Sequence, residues 1–273
     1  MRVTHNQVRS FHKMIFSWWK DNRRDLPWRR TRDPYRILVS EVMLQQTQVS
    51  RVLPKYNEFL AAFPDVFALA NASTGDVLRI WKGMGYNRRA LYLKRAAEAV
   101  VAAYHGKFPD SELLLTKLPG VGTYTARAIM VFAYEQNVAM VDTNIRQIII
   151  HFLFNGLLQK EKVIRETADR LVPEGRAWEW HQALMDYGAS ALPRDAVKRT
   201  VMKKAAIPFK DSDRFIRGKI LDYLRAKNIN EQSLIVVLLR EHGRTRGRYI
   251  AIISKLIKDG LVIRRSNFLT LPY

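Results

Sequence analysis

The sequence L-P-G-V-G-T-Y-T-A-R-A-I, Leu118 to Ile129, is followed by a second apolar run that ends in V-D-T-N-I-R, Val141 to Arg146. Gly120 and Gly122 follow Pro119 and open what the pattern predicts as a helix. Glycine lets the backbone approach another surface closely, and amides at a helix start point outward as anion ligands. Thr123, Tyr124 and Thr125 fall in the first turn, and Ala126 to Ala133 continue an apolar helix. After the polar break Glu135 to Asn137, the next run delivers Asp142 between Val141 and Asn144. A phosphate-holding turn followed by a delivered carboxylate points to chemistry on the backbone or sugar of a nucleic acid.

Composition supports such a partner. The 273 residues carry 46 Lys+Arg against 25 Asp+Glu, a formal charge of +21. So large an excess is self-repulsive unless an anion offsets it. Nucleic acid is the first candidate and an anionic membrane surface the second. No stretch approaches the ~20 apolar residues of a spanning helix, and M-R-V-T-H-N-Q-V-R-S at the N-terminus lacks the apolar core of a signal peptide. A cytoplasmic, DNA-associated monomer without a membrane partner is expected. The chain contains no cysteine, which excludes disulfides, thiolate zinc sites and cysteine-ligated iron–sulfur clusters.

Upstream, Val8 to Trp19 has the spacing of an amphipathic helix. The basic segment Lys20 to Arg32 carries L-P-W-R, Leu26 to Arg29, and leads into D-P-Y, Asp33 to Tyr35. Pro34 after Asp33 marks a helix start. In that helix, Tyr35 to Thr47, the apolar Ile37, Leu38, Val42 and Leu44 surround Glu41 in its middle, and it ends in Q-Q-T-Q, Gln45 to Gln48. Glu41 reads two ways: a carboxylate on a solvent face or paired with an arginine, or a general acid whose pKa apolar neighbours raise. The glutamines are either an exposed helix end or amides that contact bases. Helices are expected over Pro54–Phe63, Ala72–Lys82, Ala90–His105 and Ser111–Leu118. Between the second and third lies G-M-G-Y-N-R-R, Gly83 to Arg89, either an ordinary turn or a loop suited to a phosphodiester and a stacked ring.

Further helices are expected over Asn144–Phe154, Glu161–Leu171 and Trp178–Ala191, so the chain to this point reads as all-helical. A basic segment follows, with Arg194, Lys198, Arg199, Lys203 and Lys204, before a boundary near Pro208. Helices Asp213–Ala226, Glu231–Glu241 and Arg246–Asp259, then strand, Ser-Asn turn and strand, give the pattern of a winged helix. Arg244, Arg246 and Arg248 introduce its third helix. Between Ile207 and Tyr273, 14 basic and 6 acidic residues leave +8. The alternative is a helical packing domain with a solvated basic face.

Taken together, L-P-G-V-G-T-Y-T-A with Asp142, L-P-W-R, D-P-Y, S-E-V-M-L-Q-Q-T-Q-V (Ser40 to Val49), G-M-G-Y and H-Q-A-L-M-D-Y-G-A (His181 to Ala189) resemble the helix-hairpin-helix DNA glycosylases. Within them the similarity is to the MutY-type adenine glycosylases, and it covers about residues 8 to 192. The resemblance implies a mainly α fold of two helical subdomains over residues 1–205, with a six-helix barrel about 33–137 and a second subdomain from 1–32 and 138–205. A small α+β winged helix over 206–273 completes it.

The resemblance also implies roles. Glu41 matches the acid that protonates adenine at N7, and Asp142 the carboxylate that stabilises the oxocarbenium-like sugar. Tyr124 stands where bifunctional relatives have a Schiff-base lysine, which implies a hydrolase without strong strand cleavage. Asn144 and Gln182 match residues that order the site and contact adenine, and Trp28, Arg29 and Leu44 match its lining. Gln46 and Tyr86 match a pair that wedges into the duplex, with Gln45, Thr47, Met84, Arg88, Gly120, Gly122 and Thr123 alongside on DNA. Arg194, Lys198, Arg246 and Arg248 are further expected DNA contacts. The implied substrate is duplex DNA with adenine opposite 8-oxoguanine or guanine; a G·T thymine glycosylase and a catalytically silent lesion binder are the alternatives.

Three departures stand out. The family's four cluster cysteines after G-A are replaced, since Gly188-Ala189 runs into Ser190, Ala191 and Leu192; no 4Fe–4S cofactor is expected, with the basic residues from Arg194 to Lys204 taking over its phosphate contacts. The usual Nudix-like carboxyl-terminal domain is replaced by the predicted winged helix. Thr143 follows the aspartate where glycine is common. A monovalent cation at the hairpin turn is a further implication of the resemblance.

Overall fold

The computed structural model describes residues 4–193, 196–197 and 208–273. Helix α1, His5–Asn22, is capped by Thr4, and a short 3-10 turn, Pro27–Arg29, carries L-P-W-R. Helix α2, Pro34–Leu44, starts at the expected proline, with Asp33 accepting the Tyr35 N–H at 2.9 Å. Then come α3, Val49–Ala62; α4, Val66–Asn71; α5, Thr74–Ile80; α6, Arg88–Tyr104; and α7, Glu112–Leu115. They are followed by α8, Thr123–Phe132; α9, Thr143–Leu153; α10, Glu161–Leu171; and α11, Ala177–Ser190. The carboxyl-terminal part contains α12, Asp213–Ala226; β1, Ile229–Asn230; α13, Glu231–His242; α14, Arg246–Lys258; β2, Ile263–Arg265; and β3, Phe268–Thr270.

Several boundaries differ from those expected. The α3 helix begins five residues before Pro54, which sits inside it. The stretch before Trp81 is two short helices, because Asp65 and Ser73 each cap a new start by accepting the N–H of Ala68 and Asp76. The α7 helix stops after four residues: Pro119 disfavours helical backbone at Leu118 and leaves the last turn nowhere to go.

The described residues form two compact units. The first comprises 4–41, 109–117, 121–193 and 196–197, and the second 42–108, 118–120 and 208–273. A boundary at 205/206 follows the chain, whereas the units cut across it, and residues 33–137, expected as one barrel, are shared between them.

The first unit packs around the isoleucine-rich α9. Ile145, Ile148, Ile149 and Ile150 are buried with Phe11 and Ile15 of α1, Ile164 of α10, and Trp180 and Leu184 of α11. Trp180 meets Phe11 edge-on, 5.5 Å between centroids. In the second unit α4 lies on α6. Its carboxyl-terminal part is a winged helix: three helices and a three-stranded antiparallel sheet of order β1-β3-β2. Ile229 pairs with Leu269, and Arg264 with Leu269 on the other edge. This part is tied to the rest of its unit by Gly75 N–H donating to Pro272 O at 2.6 Å. Arg225 of α12 adds bonds to Leu78 O at 2.8 Å and Asn87 Oδ1 at 2.9 Å.

Candidate active site

In the first unit, Glu41 of α2 is only 6% exposed. Burial raises its pKa from 4.5 to about 7; a hydrogen bond from Tyr124 opposes the rise and the charge of Asp142 adds to it. Of its two sequence readings, the solvent-facing carboxylate is excluded. Tyr124, in the first turn of α8, is driven well above the usual phenol range by burial first and then by the charges of Glu41 and Asp142. It therefore stays a neutral donor. Glu41, Tyr124 and Asp142 make one electrostatically coupled group.

Asp142 is the N-cap of α9. Its Oδ1 accepts the Ile145 N–H at 2.7 Å. Burial raises its pKa, while the amides of Ile145 and Asn144 and the charge of Arg146 hold it down. The cap orients the carboxylate with its own helix start and the positive end of the helix dipole favours its ionised form. Thr143 is the first residue of α9, so the carboxylate is placed without glycine beside it.

Two side chains that the sequence does not flag as functional hold the segment before Asp142. His181 of α11 accepts the Met140 N–H at Nε2 (3.0 Å), and its Nδ1 lies 2.7 Å from Ala177 O, which makes Nδ1 the protonated nitrogen. Burial lowers its pKa from 6.5 to about 4, so the acceptor is available across the neutral range. Arg127 of α8 donates to Ala139 O at 2.9 Å. Amide and carbonyl of successive residues are thus pinned two positions ahead of the carboxylate.

Beneath α11 lies a second charged group, centred on Asp186, which is fully buried. Arg29 meets it with two bonds, 2.7 and 2.8 Å. Arg24 contributes its Nε at 2.6 Å and its backbone amide at 3.1 Å, and Trp19 Nε1 donates at 2.9 Å. Burial alone would raise the Asp186 pKa; the bonds and charge of Arg29, then Arg24, outweigh it and hold the group below the usual range. Arg29, expected to line the pocket, spends both terminal nitrogens here, and its Nε has no partner. Trp28 is buried in the same 3-10 turn. Gln182 is 2% exposed, and its Oε1 has no hydrogen-bond donor. Asn144 is half-buried against Gly188, where a Cβ would stand 2.7 Å from the Asn144 Cβ.

In the second unit the residues expected on DNA gather on two loops. Gln45, Gln46 and Thr47 follow α2, and Met84 to Asn87 precede α6, whose first residue is Arg88. Gln46 and Tyr86 both have left-handed backbone, φ 54° and 44°, which costs side-chain-bearing residues energy and clusters at functional sites. Arg89 ties the loops together. Its Nη1 donates to Val42 O, Met43 O and Gln45 O at 2.7–3.0 Å, and its Nη2 to Thr47 Oγ1 and Met84 O at 3.1 Å. Burial lowers its pKa from 12.5 to about 10. Leu44 is half-buried, Met84 buried, and Arg88 exposed with Nη2 on Tyr92 Oη at 2.7 Å.

Of the two glycines in the decisive stretch, Gly120 is required by the chain: φ is 77° and a Cβ would lie 2.6 Å from Tyr92 Cβ. Gly122 has extended backbone as the N-cap of α8 and open space around it, so nothing within the protein demands glycine there. Gly122 is exposed and Thr123 half-buried. Arg246 donates to Gln232, and Arg248 to Asp213 at 2.8 Å, both at the exposed start of α14. The expected contacts Arg194 and Lys198 lie outside the described residues. With no cysteine in the chain, the residues after Gly188 do not fit a thiolate-bound iron–sulfur cluster. Among the described residues no group of three or more His, Cys, Asp or Glu gathers as a metal site, and no helix is long and apolar enough to cross a membrane.

Residues 39–174 match the family described as HhH-GPD superfamily base excision DNA repair protein. The chain is 36% identical over 275 residues to an adenine DNA glycosylase of Mycobacterium tuberculosis, covering 92% of this chain and 89% of that one. It is 33% identical over 191 residues to a thymine/uracil-DNA glycosylase of Methanothermobacter thermautotrophicus, covering 68% and 86%. Among solved structures it is similar to a thermostable thymine-DNA glycosylase, with a TM-score of 0.64 at 32% identity over 69% of this chain and 89% of the other. With Glu41, Tyr124 and Asp142 already placed together, these similarities assign the chain to the HhH-GPD superfamily of base excision DNA repair proteins, among its MutY-type adenine glycosylases.

Proposed function

We propose that the chain is a monofunctional adenine DNA glycosylase, which hydrolyses the N-glycosidic bond of adenine opposite 8-oxoguanine or guanine in duplex DNA and acts as a monomer. The observation that carries this reading is the buried carboxyl of Glu41, held protonated near neutral pH beside the Tyr124 phenol and the capped carboxylate of Asp142. Chemistry that expels a poor leaving group needs an acid and a carboxylate whose environments push their protonation apart.

In this mechanism adenine is extruded into the site. Glu41 donates its proton to N7, the C1′–N9 bond breaks with its electron pair going to the base, and Asp142 stabilises the cationic sugar. Water adds at C1′ and its proton returns to the carboxylate pair. Tyr124 has no amine for an imine, so strong strand cleavage is not expected. Gln182 Oε1, buried without a donor, would accept from the exocyclic amine of the base. The Asp186–Arg29–Arg24 group supports the site wall, and Asn144 the start of α9. The Gln45–Thr47 and Met84–Asn87 loops, with Arg88 at the start of α6, would meet the distorted duplex, the Gly122–Thr123 amides a phosphate, and Arg246 and Arg248 flanking DNA.

Single-turnover release of adenine from A·8-oxoguanine and A·G duplexes tests the proposal. No release from either duplex, or equal rates for wild type and Glu41→Gln, would sink it. A second reading, thymine excision from G·T, is favoured by the 33% identity to a thymine/uracil relative; the same assay on a G·T duplex decides between them.

A further inference from the structure

The carboxylate of Asp142 stands at the end of residues 135–142, a segment that is neither helix nor strand. Its backbone is nonetheless deep in the first unit, where Ala139 and Met140 are both buried. Buried peptide groups outside regular structure must find partners among side chains. The peptide that joins these two residues has one at each end. Arg127 Nη1 donates to its carbonyl, Ala139 O, at 2.9 Å, and His181 Nε2 accepts its N–H, that of Met140, at 3.0 Å.

The two partners come from helices that carry other parts of the site. Arg127 follows Tyr124 one helical turn later on α8, and His181 directly precedes Gln182 on α11. Each is anchored on its far side: Arg127 by Glu112 at 2.9 Å and Asp169 at 3.4 Å, and His181 by Ala177 O at 2.7 Å. Clamped at both ends, the peptide plane keeps one orientation, and only Val141 separates it from Asp142. On the other side the carboxylate is fixed by the cap it makes with the Ile145 N–H at 2.7 Å. The clamp thus supplies the upstream half of a bracket whose downstream half is α9.

We infer that Arg127 and His181 are positioning residues for the glycosidic reaction: together they set the peptide plane that aims the Asp142 carboxylate at the sugar, in register with Tyr124 and Gln182. This rests on the base-excision reading above. The competing role is purely structural, in which the pair only satisfies a buried peptide and its loss costs stability alone. Aim and stability make different predictions. A carboxylate misplaced by about 1 Å costs about a hundredfold in rate while the bound duplex is held as before.

The experiment measures single-turnover adenine release from an A·8-oxoguanine duplex, and affinity for a non-cleavable counterpart, with the full chain and three variants. His181→Leu removes the acceptor, His181→Gln puts an amide oxygen near the place of Nε2, and Arg127→Met removes the donor. For His181→Leu and Arg127→Met, a fall of about a hundredfold in rate with affinity changed less than about threefold is expected. His181→Gln should recover about tenfold of that loss. Combining His181→Leu with Arg127→Met should cost less than the product of the two single losses, because both act on one plane. Unchanged rates, affinity that falls as much as rate, glutamine no better than leucine, or fully multiplicative losses would each overturn the proposal. Crystal structures of the free wild-type and His181→Leu chains give a readout without base release: the Asp142 carboxylate should move by about 1 Å or more, and an unmoved carboxylate would overturn the clamp. A wild-type chain that frees no adenine would indict the activity, and a displaced carboxylate in the variant would still support the clamp.

Discussion

The Tyr124 phenol donates a hydrogen bond to the Glu41 carboxyl in the interior of the first unit. A neutral donor on a carboxyl favours its ionised form, whereas burial and the nearby charge of Asp142 favour the protonated form. The balance puts Glu41 at about 7, where an acid is both loaded and willing to give up its proton. The single-turnover rate should therefore be flat below pH 7 and fall about tenfold per pH unit above it. Glu41→Gln should lower the plateau by two to four orders of magnitude and abolish this alkaline limb.

The same group makes stability depend on pH. The folded pKa of Glu41 lies above its ordinary 4.5, so its contribution is fully present below pH 4.5 and is lost as pH rises to 7. The difference is about 3 kcal/mol at most. Glu41→Gln should be more stable than wild type by up to that amount at pH 8 in urea unfolding and no more stable at pH 4.5.

His181 tilts the other way. Its folded pKa lies below 6.5, so its contribution is complete above pH 6.5 and is lost as pH falls toward 4. Between pH 4.5 and 6.5 the Glu41 and His181 slopes oppose each other, and Glu41→Gln should unmask the histidine. A stability that rises by about 1.4 kcal/mol per pH unit across that window, in the variant only, is the expected result.

Asp142 caps α9 and, in the proposed mechanism, is the sugar carboxylate, and two substitutions separate the roles. Asn caps a helix as well as Asp does, so Asp142→Asn should keep the melting temperature and DNA affinity while turnover is severely reduced. Asp142→Ala should lose turnover and, in addition, about 1 kcal/mol of stability.

Arg89→Met should leave at least four backbone carbonyls short of a donor and destabilise the protein by roughly 2–4 kcal/mol. It should also weaken binding to mispaired duplexes more than to matched ones, as measured by paired titrations. Equal weakening on both would show that the loops do not need their strut.

Much of this was legible in the chain. Glu41 stands out because it is the one charge between Ile37 and Leu44 of α2, and Asp142 because it precedes an isoleucine-rich helix whose start it caps. The Asp186 group was not legible: Asp186 is 157 residues from Arg29, and only the packing of α1 on α11 buries it. The two arginines of N-R-R look alike in sequence. Helix phase alone turns Arg88 to solvent and Arg89 inward, and α6 begins at that very point. The strand β1 has two residues, too few to carry any alternation. Gly122 looked as constrained as Gly120, yet only the latter has a positive φ and a crowded Cβ site.

The bonds from Arg89 to the loops bearing Gln46 and Tyr86 have a bearing on kinetics. Both loops are ordered when the chain folds, so their conformational entropy is already spent before DNA arrives. On the proposed function, encounter with a mispair would then require the duplex to deform and the protein hardly at all, which would place the slow coordinate of recognition in the DNA.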